Sequence, residues 1–232
     1  MGYTMSMKNK TPDRKRDITL GYFALLYAFV LFFLLLDNLF WYIRSYQAWW
    51  GFFYMFTNQS NMIMMMWLFL FGITMFTVKD SRIKRFATHP TVVAGITLYI
   101  SIVFLVVALV LTPFYRAMYA DHLTGVLMFT HLISAVVMFA FFFFVRTGAV
   151  QTFKRALVMA LLLLVYPLSF LLLNLAIGLP TGDFAYDFVD PSSYSHVALY
   201  IVTLLAFTIA FWILGVAILL VQRALKKNLD DN

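Results

Sequence analysis

The sequence contains no cysteine, no glutamate and few charged residues of any kind. Without cysteine, disulfide bonds, thiolate metal sites and a cysteine nucleophile are excluded. Charged residues make up 12% of the 232-residue chain and hydrophobic residues 63%, whereas soluble domains average about 25% charged residues. The composition therefore excludes a water-soluble globular protein and predicts an integral membrane protein.

Long hydrophobic runs follow one another along the whole chain. A helix needs about 20 mostly apolar residues to cross the hydrocarbon core. Six stretches reach this length: residues 18–42, 52–78, 92–111, 125–145, 156–177 and 196–221. We therefore predict an all-α fold, an integral membrane bundle of six transmembrane helices. Residues 1–17 are then a basic cytoplasmic N-terminal segment, residues 18–221 the transmembrane domain, and residues 222–232 a cytoplasmic C-terminal tail.

The basic residues indicate how these helices are oriented. Fifteen of the 17 lysines and arginines lie before the first stretch, after the last, or in the second or fourth connection, and only Arg44 and Arg116 lie elsewhere. Because basic residues accumulate on the cytoplasmic side, both termini are predicted to be cytoplasmic. The net charge of +7 follows from this topology and favours anionic lipid headgroups, so no nucleic-acid partner is implied.

Five consecutive polar residues, Thr57, Asn58, Gln59, Ser60 and Asn61, interrupt the second apolar stretch. Polar side chains are costly inside a bilayer and tend to mark functional sites. Thr57, Ser60 and Asn61 lie on one helical face, which should point into the bundle or into a hydrated cavity. Interhelical hydrogen bonds, worth about 0.6 kcal/mol each, are the alternative explanation. Five polar residues in a row are less easily explained in this way than a single pair of amides.

His131 is the one histidine well inside a predicted span. At about 1.5 Å per residue, His131 and Thr57 both lie roughly 8–9 Å below the outer boundary of the membrane. Asp37, Asn38 and Asn174 fall in the same outer third. Apolar neighbours favour the neutral imidazole, which can act as a general base or as a structural donor and acceptor between helices.

The sequence has few residues that commonly bind transition metals and none of the common cofactor-binding motifs. With no cysteine, no glutamate and no pair of histidines four residues apart, a transition-metal site lacks its usual donors. No phosphate loop, dinucleotide fingerprint or Gly-x-Ser-x-Gly elbow is present. We therefore expect neither a metal nor a cofactor.

Several of these features together resemble a known family. The six spans, the Phe-Thr-Asn-Gln-Ser-Asn run from Phe56, the single histidine of the fourth span, Tyr166-Pro167 in the fifth and the aromatic, aspartate-containing outer loop resemble the bacterial Pr6Pr membrane proteins. These are similar to the eukaryotic androgen-induced and androgen-dependent membrane proteins, threonine hydrolases that cleave fatty acid esters of hydroxy fatty acids. The resemblance implies a Thr57 nucleophile and an essential His131. The outer loop departs from the eukaryotic pattern at residues 185–188, so the resemblance leaves the identity of the substrate open.

Acyl transfer requires further groups around such a pair. A threonine hydroxyl becomes a nucleophile when a base takes its proton, and His131 is the candidate base. Negative charge that develops on the ester oxygen must be stabilised by hydrogen-bond donors. Asn58, Asn61 or Asn174 could supply these donors.

Other polar residues could support the pair. Asp37 or Asp187 could orient the imidazole, as the third residue of a triad does. Ser60 on the polar helix face and Tyr186 in the outer loop are candidates for supporting the site or contacting the substrate.

The sequence thus predicts an intramembrane hydrolase of lipid esters, with its site opening to the outer side of a bacterial plasma membrane. Its expected partners are membrane lipids and an amphipathic lipid ester. Two other classes remain open: a small transporter or channel with an outward-facing polar vestibule, and a non-catalytic lipid-binding membrane protein. The nearly apolar inner halves of the helices, without paired Gly/Pro breaks, speak mildly against transport.

Overall fold

The computed structural model describes residues 11–46, 49–77, 81–111, 126–145 and 152–230. Within these ranges all regular secondary structure is helical and no β-strand occurs, in agreement with the predicted all-α fold. Most of the predicted N-terminal segment, together with Arg116 and the rest of the connection at 112–125, lies outside the described residues.

The helices follow one another with short connections. In chain order they are α1 (Thr11–Tyr46), α2 (Trp49–Tyr54), α3 (Phe56–Met75), α4 (Arg82–Ala87), α5 (Pro90–Val106), α6 (Val126–Met128), α7 (Ser134–Phe144), α8 (Phe153–Leu163), α9 (Val165–Thr181) and α10 (Val197–Asp230). A π-helical turn, Val107–Leu111, continues α5, and a second, Phe129–Ile133, joins α6 to α7. Two 3₁₀ turns, Asp187–Val189 and Pro191–Ser193, lie in the connection from α9 to α10.

Long apolar helices indicate that the chain is a membrane protein. In the described part of the chain, four stretches are long and apolar enough to cross a bilayer: Arg14–Ser45, Pro90–Leu109, Phe153–Thr181 and Val197–Lys226. The apolar stretch Phe129–Phe144 is shorter. α3 has 20 residues, but its polar run lowers its hydropathy. Four of the predicted stretches, 18–42, 92–111, 156–177 and 196–221, overlap these long apolar stretches.

The helices at both ends are longer than predicted. α1 begins at Thr11 rather than at residue 18, and α10 continues to Asp230 rather than ending at residue 221. Lysine and arginine are good helix formers, so the basic flanks continue the helices past the apolar windows.

The fifth predicted stretch is broken, although the sequence predicted one helix over 156–177. α8 ends at Leu163 and α9 begins at Val165. The ring of Pro167 would clash with the carbonyl of Leu163, four residues earlier, and proline has no N–H to donate. At its other end, α9 is closed by Gly182, whose φ of 77° is left-handed and therefore suits glycine.

α5 is the central helix of the bundle. In its apolar stretch 61% of the residues are buried, compared with 22–33% in the other three long apolar stretches. It packs against α3, α7, α8 and α10. Pro90 starts the helix at a position that needs no N–H, and the His89 imidazole accepts a hydrogen bond from the Thr91 amide.

α1 and α3 form the most extensive helix pair in the described structure. Gly21 and Gly72 meet where the two helices cross. A Cβ atom added to Gly72 would lie 2.6 Å from Leu25 Cγ and 3.1 Å from the carbonyl oxygen of Gly21. Small residues of this kind allow membrane helices to approach closely.

Gly72→Ala is expected to lower the unfolding free energy by about 1–3 kcal/mol, the usual cost of overpacking. The change would be measured by unfolding of the detergent-solubilised protein. Gly215→Ala is the matched control, since its added Cβ would meet no atom closer than 3.5 Å. Equal stability of the two variants would contradict close packing of α1 on α3.

Candidate active site

The polar run occupies the first two turns of α3. Met55 precedes the helix in an extended conformation and provides no side-chain cap. Asn58, Ser60 and Asn61 are buried, whereas Thr57 and Gln59 are half-buried. The polar residues therefore face neighbouring helices rather than lipid.

Thr57 and His131 are brought together by α3 and the π-helical turn. Thr57 Oγ1 lies 3.3 Å from Nε2 of His131. The histidine is 8% exposed, so water competes little for this contact. A hydroxyl at the edge of hydrogen-bond distance from an imidazole is the arrangement of a nucleophile and its base, and resting sites are often looser than the usual 2.6–3.2 Å.

The second ring nitrogen of His131 contacts the preceding residue. Nδ1 lies 3.2 Å from Thr130 Oγ1. The Thr130 hydroxyl also donates to the carbonyl of Val126 at 3.0 Å. Thr130 and His131 both belong to the π-helical turn Phe129–Ile133, and such turns inside helices are frequent at functional sites.

Asn61 joins the two halves of the site. Its amide group donates to the Thr57 carbonyl and to the Thr130 carbonyl, both at 2.9 Å. Its side-chain oxygen accepts from Ser134 Oγ at 2.6 Å. Because the single hydroxyl proton of Ser134 is donated to Asn61, Ser134 Oγ can only accept from the Tyr27 hydroxyl, 3.2 Å away.

The side chain of Asn58 in α3 forms hydrogen bonds with residues of α1 and α2. Asn58 accepts from Asn38 of α1 at 2.9 Å and donates to the Phe52 carbonyl at 2.9 Å. Asn38 thus connects α1 to the candidate site through Asn58. These contacts are the interhelical hydrogen bonds that the sequence left as an alternative explanation of the run.

Tyr166 of α9 contacts two residues of the polar run, Gln59 and Ser60. Its hydroxyl lies 3.3 Å from Ser60 Oγ and donates to Gln59 Oε1 at 3.3 Å. Its ring stacks on Phe56 with centroids 5.2 Å apart. The break before α9 places this tyrosine against the start of α3.

Asn174 anchors the connection between α9 and α10. It is fully buried, donates to the Phe170 carbonyl at 3.1 Å and accepts from the Ala185 amide at 3.1 Å. Tyr54 donates to the Asn174 carbonyl at 3.1 Å and to the Asp183 carbonyl at 2.7 Å. Asn174 therefore holds the loop in place.

The two aspartates that the sequence offered as partners of His131 are both exposed. Asp37 lies on α1 and Asp187 in the first 3₁₀ turn. The group described next to Nδ1 of His131 is the Thr130 hydroxyl, at 3.2 Å, and the orienting role of Asp37 or Asp187 stays a prediction. Tyr186, the other loop candidate, stacks on Phe188 with centroids 5.2 Å apart and lines the cavity next to Thr57.

A mostly apolar cavity opens beside Thr57. It is lined by Phe56 and Thr57 of α3, Ile102, Val103, Val106 and Val107 at the end of α5, Leu164, Pro167, Leu168, Phe170 and Leu171 around the start of α9, Tyr186, Phe188 and Val189 of the loop, and Leu204, Phe207, Thr208 and Phe211 of α10. The sequence placed Thr57, Ser60 and Asn61 on one face that should point into the bundle or into a cavity, and of these three only Thr57 lines this cavity. Asn61 is turned toward backbone carbonyls instead.

Thr130, Ser134 and Tyr27 belong to the network although the sequence reasoning gave them no role. Thr130 and Ser134 are polar residues four positions apart on either side of His131, so they share a helix face. That spacing is a signal in an otherwise apolar helix. Among the described residues, no cluster of three histidine or acidic side chains could hold a metal ion.

Comparison with known proteins gives no identification. No family model, no curated protein and no solved structure matches the chain. The chemistry of the site is therefore interpreted from its own residues and distances.

Proposed function

We propose that this chain is an intramembrane hydrolase of lipid esters, with Thr57 as the nucleophile and His131 as the general base. The observation that carries the proposal is the 3.3 Å contact between Thr57 Oγ1 and His131 Nε2 at the wall of an apolar cavity. Relationship to the Pr6Pr membrane proteins is part of the proposal, supported by the polar run from Phe56 and by Tyr166-Pro167.

The reaction proceeds in two halves. Thr57 Oγ1 forms a bond to the ester carbonyl carbon while its proton passes to His131 Nε2. The tetrahedral intermediate then collapses, the bond to the alcohol oxygen breaks, and the alcohol leaves with the proton from Nε2. A water molecule, deprotonated by His131, cleaves the acyl-threonine, which releases the carboxylic acid and regenerates the hydroxyl.

The first turn of α3 is the best candidate for stabilising the oxyanion. The sequence offered Asn58, Asn61 and Asn174, but none of the three lines the cavity. Asn61 also uses both of its side-chain N–H groups on backbone carbonyls. The first N–H groups of a helix have no intrahelical acceptor, and α3 has no side-chain cap. We therefore assign the oxyanion contact to the amides of Thr57 and Asn58, at the positive end of the helix dipole.

The cavity supports a lipid substrate. Its walls are apolar apart from Thr57, Tyr186 and Thr208, which suits an acyl chain and provides no path for an ion. Because the outer loop contributes Tyr186, we propose that the ester group lies at the outer end of the cavity and the acyl chain extends between α9 and α10. This arrangement favours a hydrolase over a transporter.

The proposed topology has six spans with both termini in the cytoplasm of a bacterial cell. α3 is long enough to cross, since 20 residues extend about 30 Å at 1.5 Å per residue. The stretch Phe129–Phe144 is preceded by α6, which lengthens the fourth span. The basic residues on one side support the orientation.

The proposal is tested by labelling the purified protein with a fluorophosphonate probe and mapping the modified residue by mass spectrometry. A nucleophile activated by a base reacts with such a probe, so we expect the label on Thr57. Thr57→Val should lose the label, and His131→Gln should slow labelling strongly. Thr97→Val is the matched control, because Thr97 is a buried helical threonine that donates to the Val93 carbonyl.

Labelling that persists in Thr57→Val would contradict the assignment of the nucleophile. Absence of labelling and of ester hydrolysis in a folded protein that still retains lipid would favour the non-catalytic lipid-binding class.

A further inference from the structure

We propose that Thr130 is a positioning residue that fixes the tautomer of His131, so that Nδ1 carries the proton and Nε2 faces Thr57 unprotonated. The catalytic consequence rests on the proposed function. The tautomer itself does not, because it follows from the hydrogen bonds within the helix.

The tautomer follows from the number of protons that the Thr130 hydroxyl and the neutral His131 ring carry. A threonine hydroxyl has a single proton, and Thr130 donates it to the Val126 carbonyl at 3.0 Å. Toward His131 Nδ1, 3.2 Å away, the same oxygen can then only accept. A neutral imidazole has one N–H and one bare nitrogen, so a proton on Nδ1 leaves Nε2 bare, 3.3 Å from the Thr57 hydroxyl.

The opposite tautomer would disrupt both contacts. With the proton on Nε2, the imidazole would donate to Thr57 and could not take its proton. Thr130 would have to turn its own proton from the Val126 carbonyl to Nδ1, and this carbonyl would then accept one hydrogen bond fewer. Thr130 is 1% exposed, so water is poorly placed to compensate.

Thr130 and His131 both lie in the π-helical turn Phe129–Ile133, which Asn61 contacts from α3. Asn61 fixes the turn by donating to the Thr130 carbonyl at 2.9 Å. The same amide group holds the Thr57 carbonyl, so the orienting residue, the imidazole and the hydroxyl are held as one unit.

A hydroxyl is a weaker orienting group than a carboxylate. It selects the tautomer, as the aspartate of a Ser-His-Asp triad does, but it adds no negative charge to stabilise the imidazolium. Loss of the Thr130 hydroxyl therefore weakens the preference for the proton on Nδ1 and does not trap the imidazole in the wrong tautomer. The expected loss of kcat is therefore about 10–100-fold, smaller than the roughly 10⁴-fold loss from a wrong tautomer in a serine protease.

The test is nitrogen NMR of the full-length protein in detergent, labelled with ¹⁵N-histidine. Of the four histidines, His131 is assigned from the signals that disappear in His131→Gln. We expect a protonated Nδ1 and a bare Nε2 at a pH where the ring is neutral. Thr130→Val, which keeps the branched shape without the hydroxyl, should shift His131 toward the tautomer with the proton on Nε2, whereas Thr130→Ser should keep the original tautomer.

A wild-type protein with the proton on Nε2 would overturn the proposal, and so would a Thr130→Val protein with an unchanged tautomer. Turnover gives the second readout: Thr130→Val should lower kcat with little change in KM, and Thr130→Ser should restore it. If the tautomer changes as expected but the wild-type protein cleaves no ester, the proposed function fails and the role of Thr130 stands.

Discussion

Thr57→Ala and His131→Ala are each expected to abolish ester hydrolysis in detergent, with kcat lower by about 10³-fold or more. Thr57→Ala removes the attacking oxygen, and His131→Ala removes the group that takes its proton from 3.3 Å away. Each change removes the hydrogen bond between the two side chains, and such a contact is worth only about 0.6 kcal/mol within a membrane protein, so the melting temperature should stay close to that of the wild type. Initial rates on a series of lipid esters and a thermal melt measure the two effects.

The pair should act as one unit. Because each step needs both groups, the double variant Thr57→Ala/His131→Ala should be little slower than either single variant. Thr97→Ala and His89→Ala are matched controls, since Thr97 bonds within its own helix and His89 is an exposed helix cap. Near-normal turnover in Thr57→Ala would show that the threonine is structural.

Apolar length was enough to locate the helices. Four of the predicted stretches overlap long apolar helices, because about 20 apolar residues cannot be accommodated otherwise in a bilayer. The break between Leu163 and Val165 was missed, although Pro167 provided the signal. The helical continuation of both ends was missed as well, since hydropathy marks where the membrane ends and not where the helix ends.

The proximity of Thr57 and His131 follows from their depth. Two residues at equal depth on neighbouring helices need only the correct helix rotation to meet, and the polar run sets that rotation for α3. Their catalytic roles remain a prediction. The partners of the amides could not be predicted, because an asparagine can bond any carbonyl in reach, and Asn61, Asn58 and Asn174 all selected backbone carbonyls.

The contact between the imidazole and Thr130 was also missed, for a local reason. The sequence carries no pattern that announces the π-helical turn in which both residues lie. By analogy with known triads an acidic third residue is expected, which favours Asp37 or Asp187 over the hydroxyl of the residue before His131.

Asn61→Leu is expected to weaken both stability and catalysis. Asn61 makes three hydrogen bonds, to Thr57, Thr130 and Ser134, and at about 0.6 kcal/mol each within a membrane protein their loss lowers the unfolding free energy by about 2 kcal/mol. Leucine has a similar volume, so packing changes little. Without the shared amide, Thr57 and His131 shift relative to each other, and a displacement of about 1 Å can cost roughly 10²-fold in rate.

A double-mutant cycle separates the contributions. Ser134→Ala removes the donor that Asn61→Leu leaves unpaired, so the double variant should lose less stability than the two single losses added together. Asn38→Leu is the control: it removes one interhelical bond, to Asn58, outside the Thr57–His131 unit, and should keep its activity. Unfolding in mixed detergent micelles and initial ester hydrolysis rates provide the measurements. If Asn61→Leu hydrolyses esters as fast as Asn38→Leu, Asn61 does not hold the catalytic pair together.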